Sequence, residues 1–222
     1  MRARDNPFRS ESILRVRYRL LGIEWDQLLG RCEQLHYRAA LVGPCGSGKT
    51  TLLEDLEPRL RAKGFETVWL RLNQESSLRE RWSLSKQTTG QFLLFDGAEQ
   101  LSWVAWQFFK WRTRRAAGLI ITTHKPGRLP TLWNCNTSAR LLSDIMADVL
   151  AGSRFTTLPA NPVDLFRKHQ GNLREALREC YDLMACGDHD KPRVPLLRGF
   201  LVTPRPAPLL SVHEVSKAFD PP

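Results

Sequence analysis

The octapeptide at residues 43–50, GPCGSGKT, constrains the fold more than any other part of the chain. It matches GxxxxGK[ST] without a mismatch, follows the short apolar run 39–42 and precedes a helix-forming stretch that begins at Thr50. Glycines let main-chain N–H groups turn inward around an anion, and a helix start adds unpaired N–H donors and a positive dipole end. In this strand–loop–helix context the pattern predicts a loop that holds the phosphates of a nucleotide.

The loop and the first helical turn together supply the predicted binding residues for ATP. Lys49 offers a mobile point charge between the β- and γ-phosphates, and the hydroxyl of Thr50 is a ligand for Mg²⁺. The predicted cofactor-binding set is Gly43, Pro44, Cys45, Gly46, Ser47, Gly48, Lys49, Thr50 and Thr51.

A second element of such sites follows at residues 92–96, FLLFD, which is similar to the Walker B strand. A carboxylate at the end of a buried strand beside the phosphate loop can hold Mg²⁺, so Asp96 is predicted to be a metal ligand together with Thr50. Many ATPases of this type carry a glutamate directly after that aspartate. This chain has Gly97 there, and the next carboxylate is Glu99.

Strand-like and helix-like segments alternate along the chain, which predicts the α/β class with a mainly parallel sheet covered on both faces. The predicted strands are 39–42, 66–72, 91–95, 118–122 and 155–158. The predicted helices are 26–36, 50–63, 78–86, 102–115, 138–150 and one or two within 161–184.

With these motifs in place, the chain resembles an AAA+-type ATPase of the additional-strand class, with a short clamp-loader-like lid, over roughly residues 6–184. The resemblance implies a three-layer P-loop NTPase fold, a five-stranded sheet in the order 5-1-4-3-2 and a small helical C-terminal lid. The implied division is an entry segment and helix (1–36), a core (37–160), the lid (161–186) and a proline-rich, loosely ordered tail (187–222).

The same resemblance suggests further catalytic residues. A polar sensor at the end of the fourth strand would be Thr123 or His124, which would place the lytic water together with Glu99. Arg154 matches an arginine finger that reaches the nucleotide of a neighbouring subunit, and so implies self-association. Arg174, within GNLREAL, matches the sensor-2 arginine that touches the nucleotide from the lid.

Charge and composition restrict the setting. The chain has 33 Lys+Arg against 23 Asp+Glu, a net charge of +10, and no apolar run near the ~20 residues that a membrane helix needs. Five scattered cysteines without a CxxC pair argue against a zinc or disulfide framework. We expect a cytoplasmic protein with no membrane partner and no signal peptide.

The basic residues are concentrated between Gln100 and Ser143, where seven Lys or Arg and no Asp or Glu occur. Within this stretch, residues 102–115 read SWVAWQFFKWRTRR. The i, i+4, i+7 spacing of Val104, Phe108 and Trp111 predicts that this face packs on the sheet. Positive charge next to aromatic rings also suits nucleic acid, so residues 110–128 are a candidate nucleic-acid surface.

The leading hypothesis is a Mg-ATP-binding P-loop ATPase that couples nucleotide binding or hydrolysis to a conformational change, with Lys49, Asp96, Glu99, Thr123, His124, Arg154 and Arg174 as catalytic residues. A nucleotide or small-molecule kinase is the first alternative, because the arginines of 112–115 could serve its lid. A nucleotide-gated DNA-binding or adaptor module with little hydrolysis is the second, because Gly97 stands at the usual glutamate position.

Overall fold

A computed structural model describes residues 5–72, 89–151, 153, 155 and 157–186, and the backbone of 194–195. The helices are α1 (Ser10–Ile13), α2 (Trp25–Gln34), α3 (Lys49–Ala62), α4 (Trp103–Arg112), α5 (Ala139–Ala151), α6 (Pro162–Lys168) and α7 (Leu173–Cys186). The strands are β1 (Arg38–Val42), β2 (Thr67–Arg71), β3 (Phe92–Asp96), β4 (Gly118–Thr123), β5 (Thr131–Asn134), β6 (Thr157–Leu158) and β7 (Val194–Pro195). The predicted helix 78–86, Arg154 and the predicted loose tail lie outside these ranges.

Five parallel strands form the main sheet in the order β2-β3-β4-β1-β5. Read from the other edge, this is the predicted order 5-1-4-3-2, which is therefore confirmed. Val42 lies opposite Thr123 and Phe95 lies opposite Ile121, so β1, β3 and β4 end at the same edge of the sheet. The loops that follow these strands meet at that edge, where open α/β sheets place their ligands.

The edge strand beside β1 is not the predicted one. Residues 131–134 take this place, with Leu132 fully buried and with the N–H of Cys135 donating to the carbonyl of Val42 at 2.7 Å. The prediction of a fifth sheet strand at 155–158 is wrong, since Thr157–Leu158 pairs antiparallel with Val194–Pro195 in a separate two-stranded sheet. A mixed four-residue segment carries too little pattern for the sequence to assign its pairing partner.

Both faces of the main sheet are buried, as a parallel sheet requires. Along β3, Phe92 and Leu94 join one apolar cluster with α2 and α3, whereas Leu93 and Phe95 join a second cluster with α4. A third cluster packs α5, α6 and α7 around one another and around Phe8. Across the described ranges, none of the helices combines the length and apolar character that crossing a bilayer would require.

Helix α4 lies on the sheet through a narrow stripe. Trp106 and Phe109 are buried, and the ring of Phe109 lies 4.9 Å from that of Phe95. The prediction that Val104, Phe108 and Trp111 face the sheet is wrong, because these three side chains lie on the exposed side. The helix is apolar around most of its circumference, so spacing alone could not tell which stripe the sheet would cover.

Candidate nucleotide-binding site

The phosphate loop connects β1 to α3, as its sequence context predicts, and α3 begins at Lys49. Gly46 adopts a left-handed φ of 71° within the loop. A Cβ at this position would overlap the side-chain oxygen of Asn172, which comes from the C-terminal helical region. The left-handed backbone favours glycine at residue 46, and a larger side chain there would also displace the side chain of Asn172.

Lys49 is held inside the loop. Its ammonium donates to the carbonyl oxygens of Gly43 at 2.8 Å and Pro44 at 2.7 Å, and only 8% of the residue is exposed. Burial lowers the pKa of this ammonium, while the negative charge of Glu99 acts in the opposite direction. A desolvated cation on the loop provides the electrostatic environment that suits a phosphate chain.

Ser47 adds a second feature that fits a bound anion. Its side-chain oxygen is buried and makes no hydrogen bond within the part of the chain that the structure describes. A buried hydroxyl without a partner is costly in a folded protein, and a phosphate oxygen at the loop would satisfy it.

Asp96 joins three elements at the end of β3. One carboxylate oxygen accepts from the hydroxyl of Thr50 at 2.8 Å, and the other accepts from the hydroxyl of Thr122 at 2.7 Å. Thr122 accepts in turn from the N–H of Gly97 at 2.9 Å. Sequence analysis selected Thr123 from the TT pair, but the Thr123 hydroxyl donates to the carbonyl of Lys125 at 2.9 Å.

The oxygens of Thr50 and Asp96 fit Mg²⁺, which prefers oxygen ligands and is commonly held by one or two carboxylates plus phosphates and waters. No group of three or more His, Cys, Asp or Glu side chains that could hold a metal occurs among the described residues. A divalent ion here would therefore depend on a nucleotide for the rest of its ligands, as the Walker B prediction implies.

Gly97 shows why the usual glutamate is missing. Its φ is 89°, and a Cβ there would collide with the carbonyl oxygen of Leu72. Glu99 follows in a short 3₁₀ turn (Ala98–Gln100), and its Oε1 lies 3.3 Å from Nε2 of His124. The other oxygen of Glu99 is buried without a hydrogen bond inside the described ranges. The structure thus brings Glu99 and His124 together at the edge where β3 and β4 end.

The entry segment closes the site from another side. The N–H of Tyr18 donates to Asp55 on α3 at 2.7 Å, and Arg17 forms an ion pair with the same carboxylate. The ring of Tyr18 lies beside Gly48, and its hydroxyl accepts from the indole of Trp133 at 3.2 Å. Burial raises the pKa of this phenol. Sequence analysis missed Tyr18 and Asp55, because nothing in their local pattern distinguishes them from ordinary residues.

Helix α7 reaches the loop with its first turn. The side chain of Asn172 accepts from the N–H of Glu175 at 3.3 Å and so caps the helix, while the same oxygen lies against Gly46. The Asn-x-x-Glu spacing is a helix-start signal that sequence analysis did not use. Arg174 is exposed and its backbone N–H lies beside Gly46, while its sensor-2 role stays a prediction.

A groove of about 210 Å³ runs between the phosphate loop, the entry segment, α5 and α7. Its lining combines polar and glycine residues of the loop with aliphatic side chains, which suits a ligand with an anionic and an apolar part. Residues that line it include Tyr18, Gly46, Thr51, Ile145, Arg174 and Leu177.

No protein-family model and no curated protein matches this chain. Among solved structures it is similar to the crystal structure of NtrX from Brucella abortus in complex with ATP, with a TM-score of 0.51 and 17% sequence identity. The match covers 85% of this chain and 58% of the NtrX chain, so this chain spans less than two thirds of that protein. At this identity the likeness concerns the fold, and with the sheet order and the loop it shows that the chain has a P-loop NTPase fold.

Proposed function

We propose that this chain is a Mg-ATP-binding ATPase of the AAA+ type and additional-strand class, in which the nucleotide controls the position of a short helical lid. One observation carries the proposal. Asp96 is hydrogen-bonded to Thr50, next to the buried Lys49, and the preceding loop residues Gly46–Gly48 line a groove that Arg174 of α7 also lines. This arrangement supports the proposal because the residues proposed for phosphate, metal and lid contacts lie on or beside the same loop.

Binding would use the loop amides and Lys49 for the triphosphate, and Thr50 and Asp96 for Mg²⁺. The ion would neutralise charge on the β- and γ-phosphates. Lys49 already faces carbonyl oxygens that a phosphate would replace, and Ser47 has an unused hydroxyl at the same place. The crystal structure of NtrX contains ATP, which is consistent with this assignment.

Hydrolysis would use Glu99 in place of the missing glutamate. The close approach of Gly97 to Leu72 excludes any side chain at residue 97, and Glu99 is the carboxylate that the following turn brings back to the strand ends. We assign Glu99 the role of positioning and deprotonating water, with His124 as its orienting partner at 3.3 Å. The sensor role of Thr123 stays a prediction. The arginine-finger role of Arg154 also stays a prediction.

Coupling to a conformational change would start at α7. Asn172 lies against Gly46, and Arg174 lies in the same groove, so a nucleotide in the loop would contact or displace the first turn of this helix. We propose that the lid moves relative to the loop when the nucleotide changes. The sensor-2 contact in this proposal is a charge-assisted one between the guanidinium of Arg174 and the phosphates of the nucleotide.

The decisive experiment measures the binding of a fluorescent ATP analogue and the release of phosphate in the same set of variants. Lys49→Ala should weaken binding at least ~10-fold, because charge-assisted bonds to phosphate contribute about 1.5–3 kcal/mol each. Glu99→Gln should bind normally but turn over roughly 10²–10⁴-fold more slowly, as loss of a general base does.

Matched controls come from a surface pair away from the site. Lys63 and Glu33 face each other at 3.8 Å, so Lys63→Ala and Glu33→Gln make the same chemical changes there and should leave both measurements unaltered. Normal binding and turnover by Lys49→Ala would disprove the site assignment.

The adaptor hypothesis keeps one specific observation in its favour, the exclusion of glutamate at residue 97. It predicts tight ATP binding with no turnover above that of Lys49→Ala, and no further change in Glu99→Gln. The same assays therefore separate the two functions.

A further inference from the structure

Four of the seven exposed large hydrophobic side chains among the described residues lie on the outward side of α4. Trp103 is 73% exposed, Val104 71%, Trp111 55% and Phe108 42%. Large aromatic side chains are normally buried, and a contiguous exposed patch of them marks an interaction site. We call these four residues the platform.

Helical geometry aligns the platform along one side. Val104, Phe108 and Trp111 follow the i, i+4, i+7 spacing, and Trp103 lies at the N-terminal edge. At 1.5 Å per residue, Trp103 and Trp111 are separated by about 12 Å along the helix axis. The buried Trp106 and Phe109 anchor the helix to the sheet from the opposite side, so the platform rests on a rigid support.

Basic side chains surround the platform. Lys110, Arg114 and Arg115 are exposed, and the guanidinium of Arg114 lies 5.3 Å from the ring centre of Trp111. The guanidinium of Arg112 lies 5.9 Å from the ring centre of Phe108. The sequence from residue 100 to residue 143 contains no Asp or Glu.

The structure reduces the candidate nucleic-acid surface of residues 110–128 to fewer residues. Arg128 donates to the carbonyl of Leu101 at 2.6 Å and lies over the buried ring of Trp106, so it supports α4 from below. Burial lowers the pKa of its guanidinium. The exposed cations that share a surface with exposed rings are those of residues 110–115.

We propose that the platform binds single-stranded nucleic acid, with bases stacked on its aromatic rings and phosphates paired with Lys110, Arg114 and Arg115. Flat rings beside exposed positive charge complement a ligand that carries both planar groups and a regular series of negative charges. A duplex keeps its bases stacked on one another, so only a single strand can use the rings. None of the platform residues lines the nucleotide groove, so this inference stands apart from the proposed function.

The first test compares two pairs of substitutions at the tryptophans by fluorescence anisotropy of a labelled oligothymidylate of roughly 20 nucleotides, longer than a site of about 4–16 nucleotides. Trp103→Leu with Trp111→Leu keeps apolar area but removes stacking, and should weaken binding about 100-fold at low salt. Trp103→Phe with Trp111→Phe keeps a ring at both positions and should bind within a few-fold of the unmodified protein.

The second test leaves every ring in place. Lys110→Gln with Arg115→Gln should reduce the slope of log K against log[salt] by about 1.4, because each lost phosphate contact removes ~0.7 for a single strand. The control pair Arg61→Gln with Arg167→Gln makes the same change in net charge at exposed residues on α3 and α6, and should leave the slope unaltered.

Four results would overturn the proposal. They are failure of the oligothymidylate to bind at low salt, unchanged binding by the leucine pair, binding of a duplex of equal length as tightly as the single strand, and a dimer that dissociates in the leucine pair.

Each variant is also tested for binding of the fluorescent ATP analogue, which should be unchanged. If the unmodified protein binds the oligonucleotide but no ATP, only the proposed function fails. If the leucine pair loses ATP binding through misfolding, the charge pair still decides the matter.

Discussion

The candidate site has two parts, which are built differently. In the phosphate part, Lys49, Thr50 and Asp96 are each tied to other elements by hydrogen bonds of 2.7–2.8 Å. In the water part, Glu99 and His124 meet at 3.3 Å, and one oxygen of Glu99 has no partner within the described residues. The phosphate part is preorganised, whereas the water part depends on one contact, between Glu99 on a short turn and His124.

Under the proposed function, this difference predicts that nucleotide binding and hydrolysis can be disturbed separately. Disturbing the phosphate part breaks a network that also joins α3, β3 and β4, so it should affect both activities. Disturbing the water part removes one side chain from the site and should affect only turnover.

The largest effect should come from Asp96→Asn. The amide keeps the shape of the carboxylate but loses the charge that would hold Mg²⁺, so we expect turnover to fall by roughly 10²–10³-fold, with loss of Mg²⁺-dependent nucleotide binding. Phosphate release and analogue binding at several Mg²⁺ concentrations measure this. The control is Asp164→Asn, an exposed aspartate on α6 that should change neither. Intact Mg²⁺-dependent binding in Asp96→Asn would show that the phosphate part does not rely on this residue.

The second-largest effect should come from Gly97→Ala, which changes the backbone between Asp96 of the phosphate part and Glu99 of the water part. Gly97→Ala places a Cβ against the carbonyl of Leu72, whereas Gly90→Ala has open space at a similar φ of 77°. Both substitutions incur the left-handed strain of about 1–2 kcal/mol. Gly97→Ala should lose about 1–3 kcal/mol more from overpacking.

Urea denaturation measures the difference in free energy of unfolding between these two variants. Equal losses would mean that residue 97 tolerates a side chain, and the usual glutamate would then be absent for another reason.

The smallest effect reports occupancy of the phosphate part. Cys45 and Cys186 are exposed, whereas burial raises the pKa of Cys32 and Cys180 to about 12. Burial also raises the pKa of the third buried thiol, Cys135, so at pH 8 a thiol reagent should label the exposed pair first. ATP at ten times its Kd should slow labelling of Cys45 about 10-fold, because roughly one loop in eleven stays empty.

Cys186 at the end of α7 serves as the internal control in the same sample, and its labelling rate should not change. Equal slowing at both cysteines would indicate a global change, and no slowing at Cys45 would place the nucleotide away from the loop.

Sequence reasoning succeeded where the structural signal is local. The apolar runs that end in Gly43 and Asp96 mark two buried strands, and the loop between strand and helix contains its own conformational requirements. Four strands of the main sheet and the order of the whole sheet follow from such segments and from the resemblance.

The remainder depends on contacts between residues far apart in the chain. Leu132 identifies the edge strand only by being buried beside β1, and Tyr18 belongs to the site only because Asp55 holds its N–H. The orientation of α4 likewise depends on which of its rings Phe95 meets. Periodicity within one segment contains no information about any of these partners.

The contact between Gly46 and Asn172 determines how a ligand bound in the phosphate loop would affect helix α7. No other element lies between the phosphate loop and the start of α7, so under the proposed function a bound ligand would act on this helix directly. Any group that fills the loop would therefore displace Asn172 directly. A methyl group at residue 46 would keep Asn172 displaced whether or not a ligand is bound.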